Sequence, residues 1–174
     1  GRKDQPLHYN TNKRMSMKLT KVTALTISHC FAITIGFAAG IYALPLILAP
    51  EAPDNIAVAI ASKERQFTGN FSRDRLDSDA FHWGEGELSV GNQRISLLGS
   101  LAPGPDYKLY LSPEFVETEA AFNQLKSSMA LVGSVKTFEN FLLDVPSNID
   151  ITHYTTVVIW CETFGQFITS ATYQ

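Results

Sequence analysis

Two kinds of side chain after Pro50 could do redox or ligand chemistry: one thiol and two imidazoles. Cys161 lies in Thr155-Thr-Val-Val-Ile-Trp-Cys-Glu-Thr-Phe164 and is the only cysteine after Pro50. Cys30, the other cysteine, belongs to a long apolar segment far upstream. Outside the cytoplasm thiols are normally oxidised into pairs, so a lone one is either a small core residue or acts by itself. Burial without a nearby cation raises a thiol's pKa and makes it inert, whereas a positive neighbour or a metal activates it. A thiolate can also serve as an axial haem ligand. The bland reading is a packed cysteine, since free Cys is among the most buried residue types.

The imidazoles after Pro50 are His82, in the aromatic and glycine-rich Ala80-Phe-His-Trp-Gly-Glu-Gly86, and His153, beside Tyr154. Only the fold could bring either one to Cys161. A lone His is more often a hydrogen-bonded structural residue than a ligand, but His82 is the candidate second ligand or proton partner. Asp77-Ser-Asp79 with Glu85 and Glu87 is acidic but lacks calcium-loop spacing, so no metal site is expected. No Gly-x-Ser-x-Gly elbow, phosphate-cradling loop, His-Glu-x-x-His or Cys-x-x-Cys occurs, which leaves hydrolase, kinase and zinc-protease readings without support.

These residues must be positioned by strands. From Lys63 onward short alternating runs are punctuated by turns. Arg65–Phe71 reads as a strand and Ser72–Ala80 as a charged loop. Glu85–Val90 and Gln93–Leu98 flank Gly91-Asn92, a two-residue hairpin signal with Gly at the first turn position. Tyr107–Leu111 alternates, with Tyr107, Leu109 and Leu111 on one face. Ser112-Pro113 is expected to open a helix of about three turns, with Ser as N-cap and Pro at the first helical position. Leu131–Lys136, Phe138–Val145 and Gly165–Tyr173 read as strands. Thr155–Cys161 is almost continuously apolar and β-branched, as in a central strand covered on both faces. The expected architecture is all-β: a β-sandwich or partly closed barrel of about eight strands with one short helix.

Val22 to Pro50 contains no Lys, Arg, Asp or Glu. About 20 apolar residues in a helix cross roughly 30 Å of hydrocarbon. Lys13, Arg14, Lys18 and Lys21 precede the segment, while Glu51 and Asp54 follow it. The positive-inside rule then leaves the N-terminus in the cytoplasm and sends the C-terminal part to the periplasm or cell exterior. A cleaved signal peptide is the alternative, with Gly36-Phe-Ala38 or Ala38-Ala-Gly40 as cleavage site. The apolar run continues through Leu44-Pro-Leu-Ile-Leu48, however, which favours a single-pass anchor. Residues 1–14 are polar and begin without Met, and Met15 or Met17 would be a natural start. The expected organisation is a cytoplasmic basic segment (1–21), a transmembrane signal-anchor helix (22–48), a linker (49–63) and a β domain (64–174). From Glu51 onward there are 16 acidic and 8 basic residues, a net of −8. No basic stripe marks a nucleic-acid surface.

Two motifs resemble a known family. Gly104-Pro-Asp-Tyr-Lys-Leu-Tyr-Leu-Ser-Pro113 resembles the Gly-Pro-Asp-x-x-x-Tyr-Leu-Ser motif of DM13 domains. Val157-Val-Ile-Trp-Cys-Glu-Thr-Phe164 resembles that family's terminal Val-x-Ile-Trp-Cys-x-x-Phe strand. His82 with Gly86 matches an early His followed by Gly, and Leu131–Lys136 matches a Leu-Gly-x-Leu-Lys segment loosely. The resemblance covers roughly Gln66 to Tyr173. Phe138–Pro146 departs from a Gly-Asn-Gln-x-Tyr-x-x-Pro turn, and Ala171-Thr-Tyr173 replaces Ala-x-Leu.

The resemblance implies an all-β extracytoplasmic domain proposed for redox or electron transfer. Its cysteine is suggested to act as a bare thiol or to hold a group such as haem, a role that maps onto Cys161. The expectation is therefore a membrane-anchored electron-transfer domain working through Cys161 with His82, and with an unidentified redox partner protein. The alternative is a non-catalytic binding or interaction module in which Cys161 is merely packed.

Overall fold

The structure, a computed structural model, describes residues 8–174, with side chains from Met15 onward. Residues 1–7 of the expected cytoplasmic segment therefore lie outside the described residues. The chain divides into two compact units between Ile41 and Tyr42.

The first unit is built on α1 (His8–Leu48), which starts upstream of the expected span; its residues from Tyr42, Pro45 among them, belong to the second unit. From Met15 it is long and apolar enough to cross a membrane. Several of its polar side chains bond within the helix. The hydroxyls of Thr20, Thr23, Thr26 and Thr34 donate to carbonyls four residues back at 2.9–3.0 Å, and His29 Nδ1 lies 2.8 Å from Leu25 O. A polar group in hydrocarbon needs an internal partner of this kind.

The second unit runs α2 (Asn55–Ala61), β1 (Phe67–Phe71), β2 (Gly84–Val90), β3 (Arg94–Leu101), β4 (Tyr107–Ser112), α3 (Glu119–Leu125), β5 (Ala130–Val135), β6 (Phe141–Asp144), β7 (Thr156–Cys161) and β8 (Gln166–Thr172). Single 3-10 turns occupy Ser62–Glu64, Lys126–Ser128 and Ile151–His153. Two four-stranded antiparallel sheets result, ordered β1-β2-β3-β6 and β5-β4-β7-β8. The edge pairs β1/β8 and β5/β6 approach one another without joining into a ladder, so the fold is a sandwich and not a barrel.

Strand β7 lies between β4 and β8, and all six of its residues are buried. One face, Val157, Ile159 and Cys161, joins Tyr107, Leu109 and Leu111 of β4 against Leu88, Val90, Ile95 and Leu97 of the other sheet. The opposite face, Val158 and Trp160, joins Tyr110 and Phe167 under Phe122 of α3. Each fully buried aliphatic or aromatic side chain contributes about 1.5–3 kcal/mol, so this double cover is what holds β7 in place.

Two local expectations are corrected. The β2–β3 turn centres on Asn92-Gln93, because Gly91 N donates to Arg94 O at 2.9 Å, and Gly91 does not take a positive φ. Gly91 is needed for space: a Cβ there would lie 2.9 Å from Glu64 O. The helix after β4 begins at Thr118, not Ser112. Thr118 Oγ1 caps Ala121 N at 3.1 Å, whereas Ser112 ends β4 and its Oγ accepts from Glu114 N at 3.3 Å. In the stretch between Ala49 and Lys63, α2 is docked on the sandwich. Asp54 caps Ala57 N at 2.7 Å, Val58 is buried, and Asn140 Nδ2 reaches Pro53 O at 3.1 Å and Asn55 Oδ1 at 2.8 Å.

Candidate functional site

Cys161 ends β7, on the inner face of its sheet. Its register partners are Tyr107 on β4 and Gln166 on β8. Only 2% of the residue is exposed. The thiol is nonetheless not surrounded by hydrocarbon alone. It donates to Pro105 O at 2.9 Å, and the backbone N–H groups of Phe164 and Thr163 in the β7–β8 turn act to lower its pKa. That turn is closed by Gly165 N donating to Cys161 O at 2.9 Å. Gly165 takes φ +63, which an L side chain would resist.

The loop before β4 supplies the other wall. Asp106 holds φ 55, and its C=O accepts from Glu162 N at 3.2 Å. Its carboxylate pairs with Lys108 Nζ at 2.7 Å. Gly104 is required because a Cβ there would run into the hydroxyl end of Tyr107. The two sequence motifs are thus direct neighbours, the Gly-Pro-Asp-Tyr loop resting on the Trp-Cys-Glu end of β7.

Electrostatics keep the sulfur protonated. Burial pushes the Cys161 thiol above its ordinary pKa, the Phe164 and Thr163 N–H groups pull against that, and the negative charges of Asp106 and Glu162 add to the rise. No cation meets the sulfur to reverse the sign.

His82 is placed elsewhere. Its Nδ1 lies 3.0 Å from both oxygens of Asp79, and its backbone N donates to Asp79 Oδ1 at 2.8 Å. Burial raises the Asp79 carboxyl, but the hydrogen bonds from His82 and Phe81 outweigh it and leave the group below its usual range. His82 lines a small polar cavity with Asp79, Glu119 and Gln166. Gln166 therefore bridges the two neighbourhoods in position, but no hydrogen bond joins the imidazole to the sulfur. His153 sits at the exposed end of a 3-10 turn near Asp150. Among the described residues no three His, Cys, Asp or Glu side chains gather as a metal site.

On the outer face of the same sheet, one residue to either side of Cys161, lies a second cluster. Trp160 stacks on Phe122 with ring centres 3.8 Å apart, and Tyr110 meets Phe122 edge-on at 5.2 Å. The Tyr110 hydroxyl donates to Glu162 Oε1. Lys126 Nζ donates to the same carboxylate at 2.8 and 2.9 Å. Sequence reading passed over this trio. Tyr110 and Glu162 stood inside the two motifs, but nothing marked Lys126 as their partner.

A two-sheet antiparallel sandwich with a lone thiol at the end of its central strand defines a small β-domain in which a single sulfur is the distinguishing group. The family model described as Electron transfer DM13 matches residues 75–173, and the chain belongs to this DM13 family. The match begins after β1, so the first strand and α2 lie outside it. Membership supports a redox-related role at a coarse level. No curated protein and no solved structure matches the chain.

The residues present do not fit a haem axially bound through Cys161. The residue is 2% exposed, its S–H is bonded to Pro105 O, and His82 is tied to Asp79. Cys161 lines neither the cavity at His82 nor the groove at Gly104–Lys108. No haem chemistry is derived for this arrangement.

Proposed function

We propose that this chain is a membrane-tethered electron-transfer domain whose redox group is the Cys161 thiol. The observation that carries the reading is the polar contact on a buried sulfur: the Pro105 carbonyl accepts its hydrogen bond at 2.9 Å, and the N–H groups of the following turn favour charge on the atom. Burial disfavours direct attack on a partner's disulfide, which needs an accessible thiolate. It does not block one-electron transfer, because an electron tunnels through packed side chains. In the oxidising step the S–H bond breaks, one electron passes to a one-electron acceptor such as a ferric haem protein, and the proton passes to solvent by way of His82. A thiyl radical remains until an electron and a proton return.

His82 is the proposed proton partner. The Asp79 carboxylate fixes Nδ1 as the donor and leaves Nε2 free to accept a proton. The helix α1 supplies the tether, with the β-domain on the periplasmic or outer side in keeping with the basic residues before the apolar run. The domain's net negative charge suits a basic redox partner protein.

The competing reading is a packed structural cysteine, favoured by the same near-complete burial and by the raised thiol pKa. The deciding experiment measures electrons passed to a ferric haem protein by the native full chain in a C30S background. The proposal expects about one electron per chain, lost in C30S/C161S. Equal electron yields from the two proteins leave only the packed cysteine.

A further inference from the structure

We propose that Tyr110 is a proton-coupled electron relay, with Glu162 as its built-in proton acceptor. The inference rests on the electron-transfer reading of the domain and deepens it, but its chemistry does not require Cys161 to be the redox group.

A phenol is hard to oxidise in a protein unless its proton has somewhere to go, because the protonated radical cation is a very strong acid. Tyr110 meets that need. It is 7% exposed, and its hydroxyl donates directly to the Glu162 carboxylate. Lys126 pairs with the same carboxylate at 2.8 Å and so keeps it deprotonated and ready to accept. Burial acts to raise the Glu162 carboxyl, and the hydrogen bonds from Lys126 and Tyr110 outweigh it and hold the group below its ordinary value. Another buried tyrosine shows the contrast. Tyr173 donates to the backbone carbonyl of Ile151 at 2.7 Å, and a carbonyl cannot take the proton.

The step balances within the cluster. The phenolic O–H bond of Tyr110 breaks and an O–H bond forms on Glu162 Oε1, while one electron leaves the ring for a one-electron acceptor. Reduction reverses both movements. The side chain of Glu162 is 26% exposed, so the proton can also exchange with water. The ring has electronic neighbours on both sides of the sheet's outer face: Phe122 touches Tyr110 edge-on and stacks on Trp160, which precedes Cys161 in the chain. The cluster offers one aromatic route from Tyr110 to Trp160, the residue joined to Cys161 through the backbone.

The test is flash-quench oxidation of the detergent-solubilised full chain with photogenerated tris(bipyridine)ruthenium(III), reading the phenoxyl radical by transient absorption and electron paramagnetic resonance. The wild type is expected to give a phenoxyl signal that Y110F loses. E162Q keeps the side-chain volume and removes the base, so radical formation should slow by about tenfold or more. It should also recover with added buffer base. C161A should retain the signal, because Tyr110 has its own acceptor. A wild-type phenoxyl yield in Y110F, an unchanged rate in E162Q, or loss of the signal in C161A overturns the relay. The electron count in C30S/C161S separately decides Cys161, so either idea can fail alone. The melting of Y110F and E162Q is measured first, and rates are compared at matched folded fraction. If Y110F melts early, the E162Q rate at matched folded fraction decides.

Discussion

Tyr107 and Cys161 sit directly opposite each other on the β4–β7 ladder, and the Tyr107 phenol end fills the space that Gly104 leaves empty. The wall beside the thiol is therefore set by one glycine three residues before the strand.

Substituting that glycine should be felt at the sulfur. G104A places a methyl group against a side chain that is 2% exposed and cannot swing away. A loss of about 1–3 kcal/mol is expected from overpacking. In a Y107F background the added loss should shrink in part, since the nearest clashing atom, the hydroxyl, is gone while the ring carbons remain. Urea denaturation of the four proteins in the cycle measures this coupling, and strict additivity would contradict it.

The thiol's protonation predicts how its potential moves with pH. A thiol held above its ordinary pKa stays protonated through the neutral range, so losing an electron also releases a proton. Raising the pH then favours oxidation, and the midpoint potential of Cys161 should fall steadily between pH 6 and pH 8. A flat profile would mean that the sulfur is oxidised as an anion. Equilibrium titration against one-electron mediators in a C30S background gives the slope.

The Lys126–Glu162 pair predicts part of the acid sensitivity. The Glu162 carboxyl has a lower pKa folded than unfolded, so the unfolded chain binds the proton better. Its stabilising contribution is present above the ordinary glutamate value and is lost as pH falls through the depressed one. Stability of E162Q should accordingly depend less steeply on pH in the acid limb than that of the wild type, by chemical denaturation at a series of pH values.

The stack beneath α3 should carry much of the outer-face packing. Phe122 is fully buried between Trp160 and Tyr110. F122A is expected to cost about 3–5 kcal/mol, and F122L clearly less. Melting followed by near-ultraviolet circular dichroism also reports the loss of the Trp160 environment.

His82 has a test of its own. H82Q keeps a side chain long enough to bond Asp79 but removes the base. If His82 is the proton partner, H82Q slows Cys161 oxidation while the melting temperature stays close to wild type. If the imidazole only ties down its loop, melting drops and the rate is unchanged.

The strands were readable because burial on two sheets leaves a two-residue rhythm. Residues 107, 109 and 111 alternate inward as their sequence suggests, and the unbroken apolar run at 156–161 marks the strand covered on both sides. Turn and cap choices were less legible. Ser112 and Thr118 are both competent N-caps, and only the end of the β4–β7 ladder at Ser112 decides between them. At the thiol, sequence gave the residue but not its surroundings. The acceptor is a backbone carbonyl 56 positions earlier, and backbone groups leave no signature in side-chain pattern. His82 illustrates the opposite case. Asp79 three residues before it was a visible local partner, and an Asp that bonds backbone N–H groups two and three residues on is a common turn device.

The two outer strands of the thiol-bearing sheet each carry one surplus residue, Val132 on β5 and Ile168 on β8, at the level where Leu109 faces Ile159. Removing Ile168 would therefore join Phe167 and Thr169, already opposite the consecutive residues Trp160 and Ile159, into an unbroken ladder. Side chains on both flanks would keep their sides, and the loss would be confined to the local twist and one core side chain. Removing a paired residue such as Ser170 would instead turn every side chain beyond it to the other face.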